Sequence, residues 1–297
     1  MQTLHSSPKL LGIDWGTSNR RAYLIDPSGR CLASHADDQG MLAARPNFEA
    51  SLAALQAAMG VSGDVPIIAS GMVGSAQGWR EVPYLDTGVP LEELPRHLMR
   101  PGPRHAIVPG YCQRQPAVDV MRGEETQLLG MVALGQRDGW VVLPGTHSKW
   151  VLLRDGVIQR LSTFMTGELF AMLSAQGTLA PMMSGPDSDD AFAAGIAEAR
   201  KAAPLSNALF GVRARVVSGA MPASAARSFL SGLLIGTEFH AVLALLDGAS
   251  PTPAPLACIA SPALQQRYAD AAAQFGITLN LPDPDQVYCA ALARFFE

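Results

Sequence analysis

LLGIDWGTSNRRAYLI, residues 10–25, decides how the rest of the chain is read. An apolar run, Leu10 to Ile13, leads into Asp14, then a Gly16-Thr17-Ser18-Asn19 corner, and an alternating run from Arg21 to Ile25 leads out. Short apolar and alternating runs on either side of a small polar corner predict a β-hairpin. At its tip, Gly16 lets backbone N–H groups approach an anion closely, and Thr17 and Ser18 add hydroxyl donors. Asp14 beside them suits a hydrated Mg2+ better than a bare phosphate. An acid among donors points to a metal–phosphate site; a plain tight turn is the competing reading.

The pattern returns in VVLPGTHSKWVLLRDGVIQRL, residues 141–161. An apolar strand again meets a Gly145-Thr146 corner, here with Ser148 and Lys149, followed by a second strand, a polar turn and a third. Superposing Gly16 on Gly145 brings Thr17 onto Thr146 and Asp26 onto Asp155. Two β-β-β units half a chain apart predict a duplicated domain. Two such tips facing each other would clamp one polyphosphate.

Composition narrows the class. At 297 residues, 48% hydrophobic and 16% charged, the chain can bury a large core and is long enough for two domains. A formal net charge of -4 with dispersed Lys and Arg argues against a nucleic-acid binder. No unbroken apolar run reaches the length of a membrane span, and MQTLHSSPK has no signal-peptide core and reads as a loose tail. A cytoplasmic location is expected. The four cysteines, Cys31, Cys112, Cys258 and Cys289, form no CxxC and have no adjacent His, and the histidines show no metal-ligand spacing, so zinc and a disulfide framework are disfavoured.

Between the hairpins the pattern alternates. A third strand, Arg30 to Ala33, is followed by a helix opened by Pro46 and Asn47, with Phe48, Leu52, Leu55 and Met59 on one stripe, and by a strand from Val65 to Ala69. That is a mixed α/β sheet. In the Gly-rich loop from Ser70 to Leu85, Gly74, Ser75, Gln77 and Trp79 offer mobility, a hydroxyl, an amide and a flat face for a ligand; alternatively Trp79 plugs a gap. A Pro-rich segment, Pro90 to Pro103, precedes a strand at Ala106 to Val108. A helix from Glu124 to Leu134 follows Arg122-Gly123. Its two leading carboxylates either answer the helix dipole or include a general base, and only one of an adjacent pair can face a given ligand.

Further on, helices are expected from Thr166 to Leu173, Asp190 to Lys201 and Ser224 to Leu246. Gly232, Gly236 and Ala241 in the last of these are read as close packing in the core. After a linker, Gly248 to Pro255, come a strand, Leu256 to Ala260, a Ser261-Pro262 turn and a helix to Phe275. The final helix, Pro284 to Phe296, presents Val287, Ala291 and Phe295 as a docking face.

The paired hairpins look like the phosphate loops of the sugar kinase, Hsp70 and actin superfamily, and Asp14 to Ala22 is similar to the first loop of glycerol-kinase-like enzymes. A closer resemblance, over nearly the whole chain, is to the 2-dehydro-3-deoxygalactonokinase family. It is carried by IDWGTSNRRA from Ile13, GMVGSAQGWREVPYL from Gly71, DVMRGEETQLLG from Asp119, LPGTHSKWV from Leu143, TFMTGELFAML from Thr163 and FLSGLLIGTE from Phe229.

The resemblance implies a two-lobed, actin-like (ribonuclease H-like) α/β fold with duplicated mixed sheets and a central cleft. One lobe would be 1–118 with the C-terminal helix 284–297; the other, 119–283, would carry the second phosphate hairpin and the adenosine site. ATP and Mg2+ are the implied cofactors. Asp14 would hold the metal, and Gly16, Thr17, Ser18, Gly145, Thr146, Ser148 and Lys149 the phosphates. Ala260 and Ser261 would border adenosine, although Ala260 stands where relatives commonly carry Gly. Arg21 stands where glycerol-kinase-like loops carry an Arg that can neutralise transition-state charge. Those kinases place a catalytic Asp after a Gly at the start of an equivalent helix, which puts Glu124 ahead of Glu125 as the base.

Gly74, Ser75, Gln77 and Trp79 become part of a sugar-acid site, with Arg80 or Arg122 for the substrate carboxylate. The implied partners are a small sugar acid and ATP, without nucleic acid or membrane; a homodimer is compatible with the chain. Two other readings stay open: another carbohydrate kinase of the same fold, and a nucleotide-dependent sugar sensor that no longer transfers.

Overall fold

The structure is a computed structural model that describes residues 9–45, 47–246 and 255–296. Pro46 as helix opener, the tail before Lys9 and the linker before Pro255 lie outside the described residues. The first half runs β1 (Leu10–Trp15), β2 (Arg20–Ile25), β3 (Cys31–Asp37), α1 (Met41–Ala44), α2 (Phe48–Ala58), β4 (Ile67–Gly71), β5 (Leu85–Asp86), β6 (Met99–Gly102), β7 (His105–Ile107), β8 (Tyr111–Gln113), β9 (Asp119–Met121) and α3 (Glu124–Ala133). The second runs β10 (Gly139–Leu143), β11 (Ser148–Arg154), β12 (Val157–Phe164), α4 (Thr166–Ala175), α5 (Asp189–Ala199), α6 (Leu205–Val217), α7 (Ala226–Leu246), β13 (Leu256–Cys258), α8 (Pro262–Gln274) and α9 (Pro284–Ala293).

The chain divides into two compact units, one of Met1–Gly139, Val151–Leu161 and Pro282–Glu297, the other of Trp140–Trp150 and Ser162–Leu281. This differs from the expected division at 118/119. Helix α3 stays with the first unit because Gly130 lets it lie against the backbone of α9, where a Cβ would strike the Val287 carbonyl. The far turn of the second hairpin also joins the first unit: Leu91 N–H donates to Gly156 O at 3.0 Å, and Gln113 and Leu161 exchange two hydrogen bonds of 2.7 and 3.0 Å.

In the first unit a six-stranded sheet has the order β3-β2-β1-β4-β7-β6. Strand β1 is antiparallel to β2 and parallel to β4. Alternation along β1 serves two layers. Leu11, Ile13 and Trp15 join Phe48, Leu52 and Leu55 of α2 in one core. On the other face Gly12 makes room for Leu292 of α9, and Tyr23 donates to Asp285 at 2.7 Å. Asn47 caps α2 by accepting from Ala50 N–H at 2.9 Å. Strand β3 extends to Asp37, past the expected end at Ala33, as a polar edge strand that the apolar pattern could not show. A small sheet of order β5-β8-β9 completes the unit.

The other hairpin belongs to a sheet of order β12-β11-β10-β13, with β13 parallel to β10. This repeats the β3-β2-β1-β4 order. In the second unit α7 packs on α5 through small residues. A Cβ on Gly195 or Gly232 would strike a backbone carbonyl of the facing helix, and one on Gly236 would meet Ala199 and Ile196. Helix α6 was not foreseen: only Ala208 and Val212 are buried, too few to mark a stripe. Among the described residues one stretch, Ala223–Leu245, is long and apolar enough to cross a membrane by length and composition. Ser231, Thr237, Glu238 and His240 interrupt it, so it is not an unbroken apolar run. It is mostly buried within the second unit and serves there as a core helix.

Candidate functional site

The first tip is closed by Gly16 N–H donating to Asn19 O at 3.0 Å. Its other carbonyls are taken by the start of α1: Met41 N–H bonds Gly16 O at 2.8 Å, Leu42 N–H bonds Thr17 O at 3.1 Å, and Gly40 N–H bonds Ser18 O at 3.3 Å. Gly40 is tight against the tip, where a Cβ would overlap Thr17 O and Ser18 C. Thr17 and Ser18 are exposed. Asp14 stands at the end of β1, in register with Arg21 on one side and Ser70 on the other. Arg21 Nε lies 4.0 Å from its carboxylate, and both side chains reach solvent. Partial desolvation raises the Asp14 pKa and the Arg21 charge opposes that shift.

Arg20, which no local sequence signal marks, is a buried cation at the base of this tip. It makes a two-pronged pair with Asp37 at 3.2 and 2.6 Å, donates to Ser51, and lies over the Trp15 ring. Asp37 also accepts from Gln39 N–H, and Gln39 O accepts from Trp15 Nε1. Strand β3 therefore braces both ends of the tip.

The α3 N-terminus meets the end of β4. Gly71 and Gly123 both have positive φ, 91° and 117°, and a Cβ on Gly123 would lie 3.3 Å from Gly71 Cα. Because Gly71 is in register with Trp15, this contact brings Glu124 and Glu125 to the end of the strand pair that carries Asp14. The two glutamates then part. Glu124 is half-buried and accepts from Arg122 N–H at 3.1 Å. Glu125 has no solvent exposure, accepts from Gly123 N–H at 2.7 Å, and has no partner for Oε1. Burial, followed by the charge of Glu124, pushes the Glu125 pKa up to about 8.

In the loop after β4, Trp79 stacks on Phe48, with ring centres 6.4 Å apart, and abuts His105. This is the gap-filling alternative, and it leaves Trp79 partly exposed. Gln77 is engaged by Arg45, which donates to its side-chain oxygen at 2.7 Å. Ser75 caps the short turn at Met72–Gly74 by donating to Met72 O at 2.8 Å. Gly74 is buried because Arg122 lies on it, with Nη1 only 3.0 Å from where a Cβ would sit. Arg122 donates from Nη2 to Val82 O at 2.7 Å and covers the Tyr84 ring at 4.2 Å, while its buried Nε and Nη1 have no partner. Arg80 is exposed.

The second tip shares with the first a glycine of the following helix start pressed against it and a carbonyl bonded by an amide there. Thr146 O accepts from Glu168 N–H at 2.9 Å, and Gly167 presses on the tip where a Cβ would overlap Gly145 O. Gly167 thus does for α4 what Gly40 does for α1. Gly145, Thr146 and His147 are exposed, and His147 pairs with Glu168 at 2.6 Å. Ser148 and Lys149 differ from expectation in being buried. The Ser148 hydroxyl bonds Tyr268 at 2.8 Å, and Lys149 Nζ donates to Thr163 at 3.1 Å. As the first residues of an inward strand they support the tip from beneath. Ala260 is buried two residues past the end of β13, which stops at Cys258 and not at Ala260 as expected, and Ser261 is the exposed N-cap of α8 with its hydroxyl unused by the cap.

Among the described residues no three His, Cys, Asp or Glu side chains gather as a metal cage. Asp14, partly exposed beside the exposed hydroxyl residues Thr17 and Ser18, fits a Mg2+ that keeps most of its waters and takes its other ligands from phosphate.

The family model described as 2-keto-3-deoxy-galactonokinase matches residues 14–295. A Rhizobium meliloti (strain 1021) protein named Probable 2-dehydro-3-deoxygalactonokinase DgoK1 is 37% identical over 295 residues, covering 95% of this chain and 94% of that one. The 2-dehydro-3-deoxygalactonokinase of Escherichia coli (strain K12) is 33% identical over 286 residues, covering 96% of each. A crystal structure of a Sinorhizobium meliloti protein assigned as a 2-dehydro-3-deoxygalactonokinase superposes with a TM-score of 0.86 at 35% identity, covering 96% of this chain and 94% of that chain.

At 11% identity and a TM-score of 0.54, the Clostridium difficile activator of 2-hydroxyisocaproyl-CoA dehydratase shares the fold alone, over 97% of this chain and 93% of that one. The fold is the mixed α/β, actin-like ATPase fold of sugar kinases. By both the family model and its relatives, this chain belongs to the 2-keto-3-deoxy-galactonokinase family.

Proposed function

We propose that this chain transfers the γ-phosphoryl group of ATP to the 6-hydroxyl of 2-dehydro-3-deoxy-D-galactonate, giving the 6-phosphate and ADP in galactonate breakdown in the cytoplasm. One observation carries the mechanism: the Gly71–Gly123 contact delivers a half-buried Glu124 to the end of the strand pair that bears Asp14. A carboxylate for a cation and another for a proton thus meet at the same end of the β1–β4 strand pair.

Phosphoryl transfer asks a protein for alignment and charge neutralisation more than for covalent chemistry. The exposed Thr17 and Ser18 of the Gly16 corner and the exposed Gly145-Thr146 corner offer hydroxyl and N–H donors to phosphate oxygens. Glu124 takes the proton from the 6-hydroxyl as that oxygen bonds to the γ-phosphorus and the bond to the ADP oxygen breaks. A base of this kind contributes about a hundredfold to ten-thousandfold. Arg21, nearly half exposed at 46% of its side chain, can turn toward the moving charge. Mg2+, held by Asp14 through water, would neutralise the phosphates. Serine and lysine at 148 and 149 act indirectly, through the strand that carries the tip.

For the sugar carboxylate, Arg122 has two N–H-bearing nitrogens unspent, and Arg80 is open to solvent. An ADP-coupled assay with the two epimeric keto-deoxy acids side by side tests the reading. Selective turnover of the galactonate epimer is expected. Equal rates overturn the substrate, and no ADP release with either overturns phosphoryl transfer.

A further inference from the structure

Glu238 lies in the interior of α7 with no solvent exposure. Its carboxylate is surrounded by donors: Trp150 Nε1 donates to Oε2 at 2.7 Å, Tyr268 OH donates to Oε1 at 2.8 Å, and the Thr166 hydroxyl bonds it as well. Ser148 OH lies within reach of both this carboxylate and the Tyr268 hydroxyl. Burying a carboxylate is expensive, and a well-packed apolar residue of similar size is often the more stable choice. Its partners say what the carboxylate does there.

Ser148 and Trp150 begin the strand that leaves the second tip, and Thr166 precedes the Gly167 that presses on that tip. Tyr268 stands on α8, the helix whose exposed N-cap is Ser261. Four elements of the second unit therefore meet on one side chain, and three of them border the tip or the α8 N-terminus. The Asp14 edge, the α3 N-terminus and the loop after β4 all lie in the first unit.

We infer that Glu238 is a positioning residue for the nucleotide: it fixes the Gly145-Thr146 tip against α4 and α8, so that it governs binding of ATP and not of the sugar acid. The inference rests on the reading of that tip as a phosphate site.

The test uses the full chain with Glu238→Gln and Tyr268→Phe. For each, the affinity for a fluorescent ATP analogue, the KM for ATP, the KM for the sugar acid and the unfolding temperature are measured. In Glu238→Gln the side-chain oxygen can keep the Trp150 Nε1–H bond, which turns the NH2 toward the Tyr268 hydroxyl that donated to the carboxylate, so that bond must reverse or be lost. Its KM for ATP and its analogue dissociation constant should rise about tenfold, the scale on which one mispaired buried hydrogen bond is felt. Tyr268→Phe should show a smaller rise of the same kind. The KM for the sugar acid should not move in either, a split that loss of folded protein cannot produce.

If Glu238→Gln does not fold, Tyr268→Phe decides alone. Unchanged nucleotide affinity in a folded variant, or equal changes in both KM values, overturns the positioning role while leaving the kinase reading intact. A wild-type chain that fails to bind the analogue overturns the phosphate reading and this inference with it.

Discussion

Replacing Glu125 with Gln asks whether the first turn of α3 carries a protonated acid. The Glu125 carboxyl is wholly buried, with one oxygen bonded by Gly123 N–H and the other without a partner. Desolvation is the main cause that raises its pKa from 4.5 to about 8, and the Glu124 charge adds to it. Between those two values the unfolded chain has released the proton while the folded chain keeps it. Stability contributed by the neutral acid is therefore full below about pH 4.5 and falls as pH rises, until the loss is complete above about pH 8. At about 1.4 kcal/mol per pH unit the ceiling is about 5 kcal/mol. Polar relaxation around the ionised group brings the expected loss to about 2 kcal/mol.

Glutamine cannot ionise, and its carbonyl can accept from Gly123 N–H as the carboxylate does. Urea unfolding of wild type and Glu125→Gln at pH 5, 6.5 and 8.5, compared pairwise, cancels every other titrating group. The two should unfold alike at pH 5, and the variant should be the more stable by about 2 kcal/mol at pH 8.5. Parallel profiles across that range refute the reasoning. Kinase turnover of the variant should stay within about tenfold of wild type, because a fully buried side chain is not the group that meets the acceptor hydroxyl.

Glu124→Gln should lower kcat by about a hundredfold or more while ATP-analogue affinity holds, as steady-state kinetics with equilibrium binding will show. Asp14→Ala should abolish turnover at ordinary Mg2+ concentration, measured by ADP release over a Mg2+ titration; normal turnover would make the first tip structural. Trp79→Ala should cost about 2 kcal/mol in urea unfolding, less than a fully buried Trp would, because its ring is stacked on Phe48 but stays partly exposed. If it also raises the KM for the sugar acid, the ring meets substrate; an unchanged KM leaves it as packing alone. Of Arg80→Ala and Arg122→Lys, the change that raises the KM for the acid and spares the KM for ATP marks the carboxylate partner.

The hairpins were legible because corner and strand chemistry is local: Gly, Thr and Ser between apolar runs leave few alternatives to a tight turn. The duplication was legible for the same reason, and the strand orders repeat it. What adjacency in sequence cannot convey is which way a residue faces once a strand is placed. Ser148 and Lys149 sit next to an exposed tip yet are both buried, one on each face of β11, since two residues past a hairpin corner the strand is already covered on both sides. The division of the chain escaped for a related reason: Gly130 against Val287 is a contact between residues far apart in sequence. Helix α6 and the polar edge of β3 lacked the apolar period that signals an element. Glu238 had a visible signal, a lone carboxylate inside a long apolar helix, which marks a buried charge and its partners.

The clasp on each tip has a consequence for what those tips attract. At the first tip the carbonyls of Gly16, Thr17 and Ser18 are taken by amides at the start of α1, and at the second the Thr146 carbonyl is taken by an amide of α4, so fewer carbonyl oxygens are left to repel an anion. That polarity belongs to the path of the backbone. Side chains at the corners can be exchanged one by one, tuning grip and reach, and the loops will still prefer a negative guest.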